Sequence, residues 1–355
     1  DNVIDQNPFA SVAATSSMTH FVARIVLIKE MENSTEVVSF VLSAYGDIGN
    51  LKYLYFSIIL LWYIFICTTN TILIVVIYMD RGLHEPMYLL LCHLFMNEIS
   101  TSMSLYPLLL SQMFSDTHEV TLPWCFLQMF CFFIFSCVEL CSLTAMAYDR
   151  YVCICYPLQY NVLMSNKRVG KIILLVWIYS FTSYMFSFSF VIPLTFCGNV
   201  IDKVFCDQQF VVKLACSVPA LTSISDLLFG FMSLILPFSL ISFSYMKILW
   251  VCLIVSKESK QKVITTCTPQ IVSLSNIFVG ATFHFVGSRL DVVFLPDKVR
   301  IVLSIYLHIL QPIITPFMYG IYLPKIRQSL LFVNKQFYTA VLDVFSSDLY
   351  QLVSN

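Results

Sequence analysis

Charge is what this 355-residue chain has least of: only 12% of its residues are Asp, Glu, Lys or Arg, where a soluble globular chain carries roughly 25%. The formal net charge is −1, which excludes a nucleic-acid binder held by phosphate contacts. Metal-ligand spacings, a phosphate-binding glycine loop and a nucleophile elbow are all missing, so no enzyme chemistry is expected. The period-two alternation that builds membrane barrels is absent, and so are the internal repeat and interrupted helices that mark many secondary transporters. What remains is apolar. With 58% hydrophobic residues and a mean hydropathy of +0.81, the composition belongs to the membrane class.

Crossing a bilayer takes about 20 mostly apolar residues. Seven stretches meet that length, near 53–79, 86–110, 122–148, 171–196, 222–249, 262–288 and 301–323. Backbone groups in lipid need partners within the chain, which predicts helices rather than open strands. The expected fold is therefore an all-α membrane protein, a seven-transmembrane bundle over 53–323. Glu98 and Glu139 are each the single acidic residue of their span. At mid-membrane depth both should face the bundle interior, where two ionised carboxylates are unfavourable together and would share a proton or a cation such as Na⁺. Plain hydrogen-bonded packing is the alternative.

Lys and Arg set the orientation. Placing Arg81, Arg150, Lys167, Arg168, Lys171 and their fellows in the inner loops gives a two-to-one excess over the outer loops. That bias puts the N-terminus (31–52) outside and the C-terminus (324–355) inside. Asn33-Ser34-Thr35 agrees, being a glycosylation acceptor just before the first span. Residues 1–30 show no convincing signal peptide and read as a disordered or gene-model extension. Residues 324–335 read as a short amphipathic helix on the inner leaflet.

One stretch is far more specific than the composition. Met146-Ala-Tyr-Asp149-Arg150-Tyr151-Val-Cys-Ile-Cys-Tyr-Pro157 ends the third span, at a membrane edge where an Asp-Arg pair is tolerable. It closely resembles the MAYDRYVAIC run of olfactory receptors, a branch of the rhodopsin-like G-protein-coupled receptors. Leu83-His-Glu-Pro86-Met87-Tyr88 is similar to the LHxPMY of the same family, Ser244-Tyr245 to its SYxxI, and Pro312-Ile-Ile-Thr315-Pro316-Phe-Met-Tyr319 to its PxxNPxIY. The likeness covers about 31–335. Three positions depart from it: Gln270 stands for the usual His, Val279 for Tyr at the pocket floor, and Thr315 for Asn. These departures fit either altered basal activity or a decayed gene.

The resemblance implies roles. Asn70 bonds the second and seventh helices. Asp149, Arg150, Tyr151, Tyr245, Pro316 and Tyr319 form the activation switch and the face that meets a heterotrimeric G protein, of the stimulatory olfactory type that raises cyclic AMP. Four cysteines at the outer face, Cys125, Cys197, Cys206 and Cys216, allow three pairings; the resemblance favours Cys125–Cys206 and Cys197–Cys216. Counting helical turns from these motifs selects Phe132, Phe133, Ser136, Cys137, Phe229, Ser233, Thr282, Val286, Ile305 and His308 as lining a ligand cavity, though ordinary helix packing would use the same positions. Such a lining suits a small, mainly hydrophobic odorant held by one or two hydrogen bonds. Phe132 stands where receptors for monoamines carry Asp, which argues against such a ligand. A non-olfactory receptor of the rhodopsin class and a proton-coupled transporter using Glu98 and Glu139 are the alternatives. The expected location is the plasma membrane.

Overall fold

The computed structural model describes residues 37–45, 49, 51–254, 257–289 and 297–332, with backbone alone at 257–259, 262, 283–289, 297–305, 307 and 308. Asn33, the segments 1–30 and 338–355, and the side chains of Val286, Ile305 and His308 lie outside that description.

Among the described residues run seven long helices: α1 (Leu51–Met79), α2 (Pro86–Gln112), α3 (Leu122–Cys155), α4 (Asn166–Ser189), α5 (Ala220–Ile254), α6 (Lys257–Arg289) and α7 (Asp297–Tyr322). α1, α3, α4, α5 and the Val263–Thr282 part of α6 are long and apolar enough to cross a membrane. α2 has the length but carries more polar residues, and these point inward: His93, Asn97, Glu98, Thr101 and Ser102 are all buried, as are Gln311 and Thr315 on α7. The bundle is thus apolar where it meets lipid and polar along an internal seam. A short helix, α8, follows over 324–332. It buries Ile326 and exposes Leu331 and Phe332.

Prolines mark the boundaries. Pro86 sits in the first turn of α2, where its missing N–H costs nothing. α3 runs unbroken through Asp149 and Arg150 to Cys155, beyond the expected end at 148. It stops at Tyr156, whose backbone is pushed out of the helical region by Pro157. α4 ends at Ser189 instead of 196, because the chain turns over Phe190–Leu194 and Pro193 supplies no donor. Within α5 the segment Phe231–Ile235 widens into a π-helical turn just before Pro237, and the Tyr179 hydroxyl of α4 donates to the Met232 carbonyl there (2.8 Å).

One element was not foreseen. A three-stranded sheet caps the α2–α3 end of the bundle, in the order β2 (Glu119–Thr121), β1 (Ser39–Leu42), β3 (Val200–Ile201). β1 pairs antiparallel with β2, Phe40 opposite Val120, and parallel with β3. Alternation places Phe40 and Leu42 in the core, and the Tyr45 hydroxyl donates to the Val204 carbonyl at 2.8 Å. The loop from which β3 comes is tied down by Cys125–Cys206 and Cys197–Cys216.

Buried polar contacts fix the middle of the bundle. Trp177 Nε1 of α4 donates to His93 Nε2 of α2 (2.9 Å). His93 Nε2 is therefore the acceptor nitrogen, and the ring proton sits on Nδ1, facing the Ser142 hydroxyl of α3 (3.2 Å). Ser142 in turn donates to the Val138 carbonyl. Three helices are joined through one neutral imidazole. Replacing Trp177 by Phe leaves His93 Nε2 buried without a donor, and we expect a loss of about 1–2 kcal/mol. Adding His93→Leu should return part of that loss, because removing both partners costs less than orphaning one. Thermal unfolding of the single and double variants in detergent checks this; a double variant no better than Trp177→Phe would contradict it.

Candidate functional site

Near the sheet end, α3, α5, α6 and α7 enclose a cavity of about 140 Å³. Spacing along each helix accounts for the lining. Phe132, Phe133, Ser136, Cys137, Glu139 and Leu140 come from α3; Asp226, Phe229, Gly230, Ser233 and Leu234 from α5; Ile277 and Ala281 from α6; Gln311 and Pro312 from α7; and Thr101 from α2. Gln209, in the short helix Gln208–Lys213 that follows β3, closes one side. Six of the ten sequence-selected lining residues are brought together here: Phe132, Phe133, Ser136, Cys137, Phe229 and Ser233. Thr282 is not among them; it is exposed on the outer side of α6. Val279, expected at the pocket floor, is also largely exposed.

The wall is mostly aromatic and rigid. Phe133 stacks on Tyr184 of α4 (centroids 5.3 Å apart) and meets Phe229 edge-on, while Phe132 packs against Phe205 of the disulfide-tied loop. The Ser136 hydroxyl is committed to the Phe132 carbonyl (2.8 Å), which leaves its lone pairs free to accept. Asp226 was missed in sequence, yet it repeats at i, i+3, i+7 with Phe229 and Ser233, one face of a helix. Its carboxylate accepts from Gln208 Nε2 (3.3 Å) and Gln209 Nε2 (3.4 Å). A carboxylate therefore borders the cavity from α5, although Phe132 removes the one on α3. Gln209 lies in a loop, where helical counting has no purchase.

A polar layer lies beneath the cavity. Gln311 accepts from Asn276 Nδ2 (2.8 Å) and donates to Ser273 and Thr315 Oγ1 (3.2 Å). Thr315 donates back to the Gln311 carbonyl (3.0 Å). Asn70 Nδ2 donates to the Pro312 carbonyl at 3.0 Å. That carbonyl would ordinarily receive the amide of residue 316, which is proline and has none. Glu98 is 1% exposed, and both of its carboxyl oxygens lack a hydrogen-bond partner, as do Glu139 Oε1 and Asn70 Oδ1. Glu98 and Glu139 lie within electrostatic reach of each other. No group of three metal-binding His, Cys, Asp or Glu occurs among the described residues.

At the opposite end, Arg150 is locked. Its Nε (3.0 Å) and Nη2 both donate to Asp149 Oδ2, and Tyr160 donates to Asp149 Oδ1 (2.8 Å). Tyr151 stands against Tyr156. Tyr245 bonds not to Arg150 but to Gln270 Oε1 (2.8 Å), and Gln270 Nε2 reaches the Leu143 carbonyl of α3 (2.6 Å). Gln270 thereby bridges α3, α5 and α6. Pro316 is buried, and Tyr319 packs edge-on against Phe95. α8 is clamped to the turn after α1: the Ser329 hydroxyl donates to Asp80, and Lys325 pairs with Glu85 (2.6 Å). The Ser329 hydroxyl and then the Gly82 amide hold the Asp80 carboxyl below its ordinary range.

Three comparisons bear on this arrangement. The backbone is similar to squid rhodopsin, with a TM-score of 0.68 over 87% of this chain and 92% of that one, at 17% identity; that likeness speaks to the fold. Human olfactory receptor 6B1 is 30% identical over 302 residues, covering 85% of this chain and 96% of the receptor. Human olfactory receptor 5AC2 is 31% identical over 300 residues, covering 84% and 96%, and rat olfactory receptor 1500 is 30% identical over 305 residues, covering 84% and 96%. The sequence profile described as olfactory receptor matches residues 58–336. The chain belongs to the olfactory receptor family, multi-pass membrane receptors of the seven-helix, G-protein-coupled class and not enzymes.

Proposed function

We propose that this protein is an odorant receptor whose ligand occupies the cavity between α3, α5, α6 and α7 and whose Arg150 end engages a heterotrimeric G protein of the stimulatory type, raising cyclic AMP. The observation that carries this reading is the position of a small, aromatic-walled cavity directly above the Gln311 layer. An apolar cavity of about 150 Å³ takes benzene, so a volume of about 140 Å³ suits a compact, mostly hydrophobic molecule. Ser136, Ser233, Gln209 and Asp226 offer the few polar contacts that fix its orientation.

A ligand acts only through its differential affinity for two arrangements. The arrangement described here has Arg150 tied to Asp149 and Tyr245 tied to Gln270. A ligand that moves α6 through Ile277 and Ala281 pulls on Gln270, which lies on the same helix. Releasing Gln270 frees the Tyr245 hydroxyl to receive an unlocked Arg150. The Lys and Arg excess near that end, together with two disulfides near the sheet end, supports an outside N-terminus and an inside C-terminus. Glu98 and Glu139 share a single positive charge, a proton or Na⁺, because two bare carboxylates so close and so deep would repel; their unpartnered oxygens suit either.

Three outcomes are expected in transfected cells. Ser136→Phe fills most of the cavity and should lower the potency of any agonist found by screening odorant mixtures by at least about tenfold, with surface expression retained. Potency unchanged in a well-expressed variant would place the ligand elsewhere. Arg150→Ala should abolish the agonist-evoked cyclic AMP rise, whereas Asp149→Asn, which weakens the lock, should raise the unstimulated level; equal responses from Arg150→Ala and the unmodified receptor would refute the coupling route. Glu98→Gln removes one of the two charges, so basal cyclic AMP should lose its dependence on external sodium or on pH. A dependence identical to that of the unmodified receptor would count against charge sharing.

A further inference from the structure

The cavity between α3, α5, α6 and α7 is electrically one-sided. Two carboxyl side chains line it, Asp226 of α5 and Glu139 of α3, and among its described lining residues there is no Lys, Arg or His. Glu139 has Glu98 within electrostatic reach, and the single positive charge assigned to that pair answers it. Asp226 stands apart, in the second turn of α5. Phe229 follows it on the same helix face, about 4.5 Å along the axis at 1.5 Å per residue. Phe229 meets Phe133 edge-on, with centroids 6.2 Å apart.

Asp226 is only half-buried, as is Gln209 beside it. Its carboxyl oxygens accept from Gln208 Nε2 at 3.3 Å and from Gln209 Nε2 at 3.4 Å. Both bonds are long for N–H···O contacts. Both donors are neutral amides, so neither cancels the carboxylate charge. A neutral ligand that fills the cavity strips water from that charge and supplies nothing in return, which is unfavourable. A cation avoids the loss and gains a charge-assisted hydrogen bond. The rings of Phe132, Phe133 and Phe229 line the same space, and aromatic faces attract a cation as well as an apolar body. The argument from Phe132 against an amine concerns α3 alone; here α5 supplies the carboxylate.

On the reading that the ligand occupies this cavity, we propose that it is a small primary amine, bound as its ammonium ion with an N–H donating to the Asp226 carboxylate. Its apolar body lies against Phe133 and Phe229. A volume of about 140 Å³ limits that body to one ring or a short branched chain. A carboxylic acid would meet like charge at Asp226 and Glu139. A bare metal ion is a poorer match, because hard cations take about six oxygen ligands and the wall around Asp226 is mostly carbon.

The test compares benzylamine with benzyl alcohol, and cyclohexylamine with cyclohexanol, on the full receptor. Cyclic AMP is read in transfected cells, and thermal stabilisation of the detergent-purified chain gives a readout that needs no G protein. On the unmodified receptor each amine should exceed its alcohol by at least about tenfold in potency, the equivalent of one hydrogen bond to a charged group. Asp226→Asn should erase that preference while leaving the alcohols unchanged, and Asp226→Glu should keep part of it. A carboxylate that only held Gln208 and Gln209 in place would leave the ratio of amine to alcohol unmoved. Amines no better than alcohols on the unmodified receptor, in both readouts, would overturn the proposal whether or not any variant folds. So would an amine preference that survives Asp226→Asn. Alcohols that act and are blocked by Ser136→Phe, with no amine preference, would reject the amine and keep the cavity; amine responses untouched by Ser136→Phe would reject the cavity itself.

Discussion

The structure depends on one constraint: a backbone carbonyl or amide buried in lipid must find its partner within the chain. Straight helices meet it automatically. Prolines inside α2, α5, α6 and α7 do not, since each removes a donor from the ladder. The molecule answers with side chains. Asn70 donates to the Pro312 carbonyl that Pro316 leaves open, and Tyr179 donates to Met232 within the widened turn before Pro237. Each repair is made by a neighbouring helix. The irregular points of one helix thereby become the attachment points of another, and helices that lack a hydrophobic drive to associate in lipid are held together.

That same economy places polar groups in a seam that runs from the cavity between α3, α5, α6 and α7 towards Gln270 and Tyr245. Gln311 and Pro312 belong both to the cavity wall and to the layer below it. Ser273 and Asn276 carry the layer onto α6, the helix whose Gln270 holds Tyr245. Side chains with two available partners form elements with two arrangements, which is what coupling between distant sites requires. An all-apolar interior would be equally stable in many packings. A hydrogen-bonded seam has few.

Much of this was legible in the sequence. Length and apolar content gave seven helices, since without a barrel's alternation only helices cross lipid with their backbone satisfied. The Asp149-Arg150-Tyr151 run and Cys125, Cys197, Cys206 and Cys216 marked the two ends of the bundle. Helical spacing from Pro237 and Arg150 found Phe132, Phe133, Ser136, Cys137, Phe229 and Ser233, because α3 and α5 present regular faces to the cavity. Thr282 and Val279 were placed from the Phe278-Val279-Gly280 motif rather than from a face known to meet α3 or α5, and the helix turns both of them out of the cavity lining. Asp226 obeyed the same spacing as Phe229 and Ser233 but was not selected. The β1–β2–β3 cap could not be read at all. Its strands are two to four residues long, and their partners are 78 or more residues apart in sequence, so no local period announces them.

The three family departures take on a different meaning once their surroundings are known. Gln270 uses both ends of its amide, accepting from Tyr245 and donating to the Leu143 carbonyl; a neutral imidazole in the same place also has one donor and one acceptor, so the bridge survives the exchange. Thr315 loses the donors of an asparagine, but Gln311 one turn earlier supplies them to Ser273 and to Thr315 itself. Val279 is 41% exposed and does not line the cavity, so the lost tyrosine hydroxyl leaves no buried polar group there without a partner. Each substituted residue is hydrogen-bonded or apolar, and α6 is held to α3 and α5 through Gln270 and to α7 through Gln311.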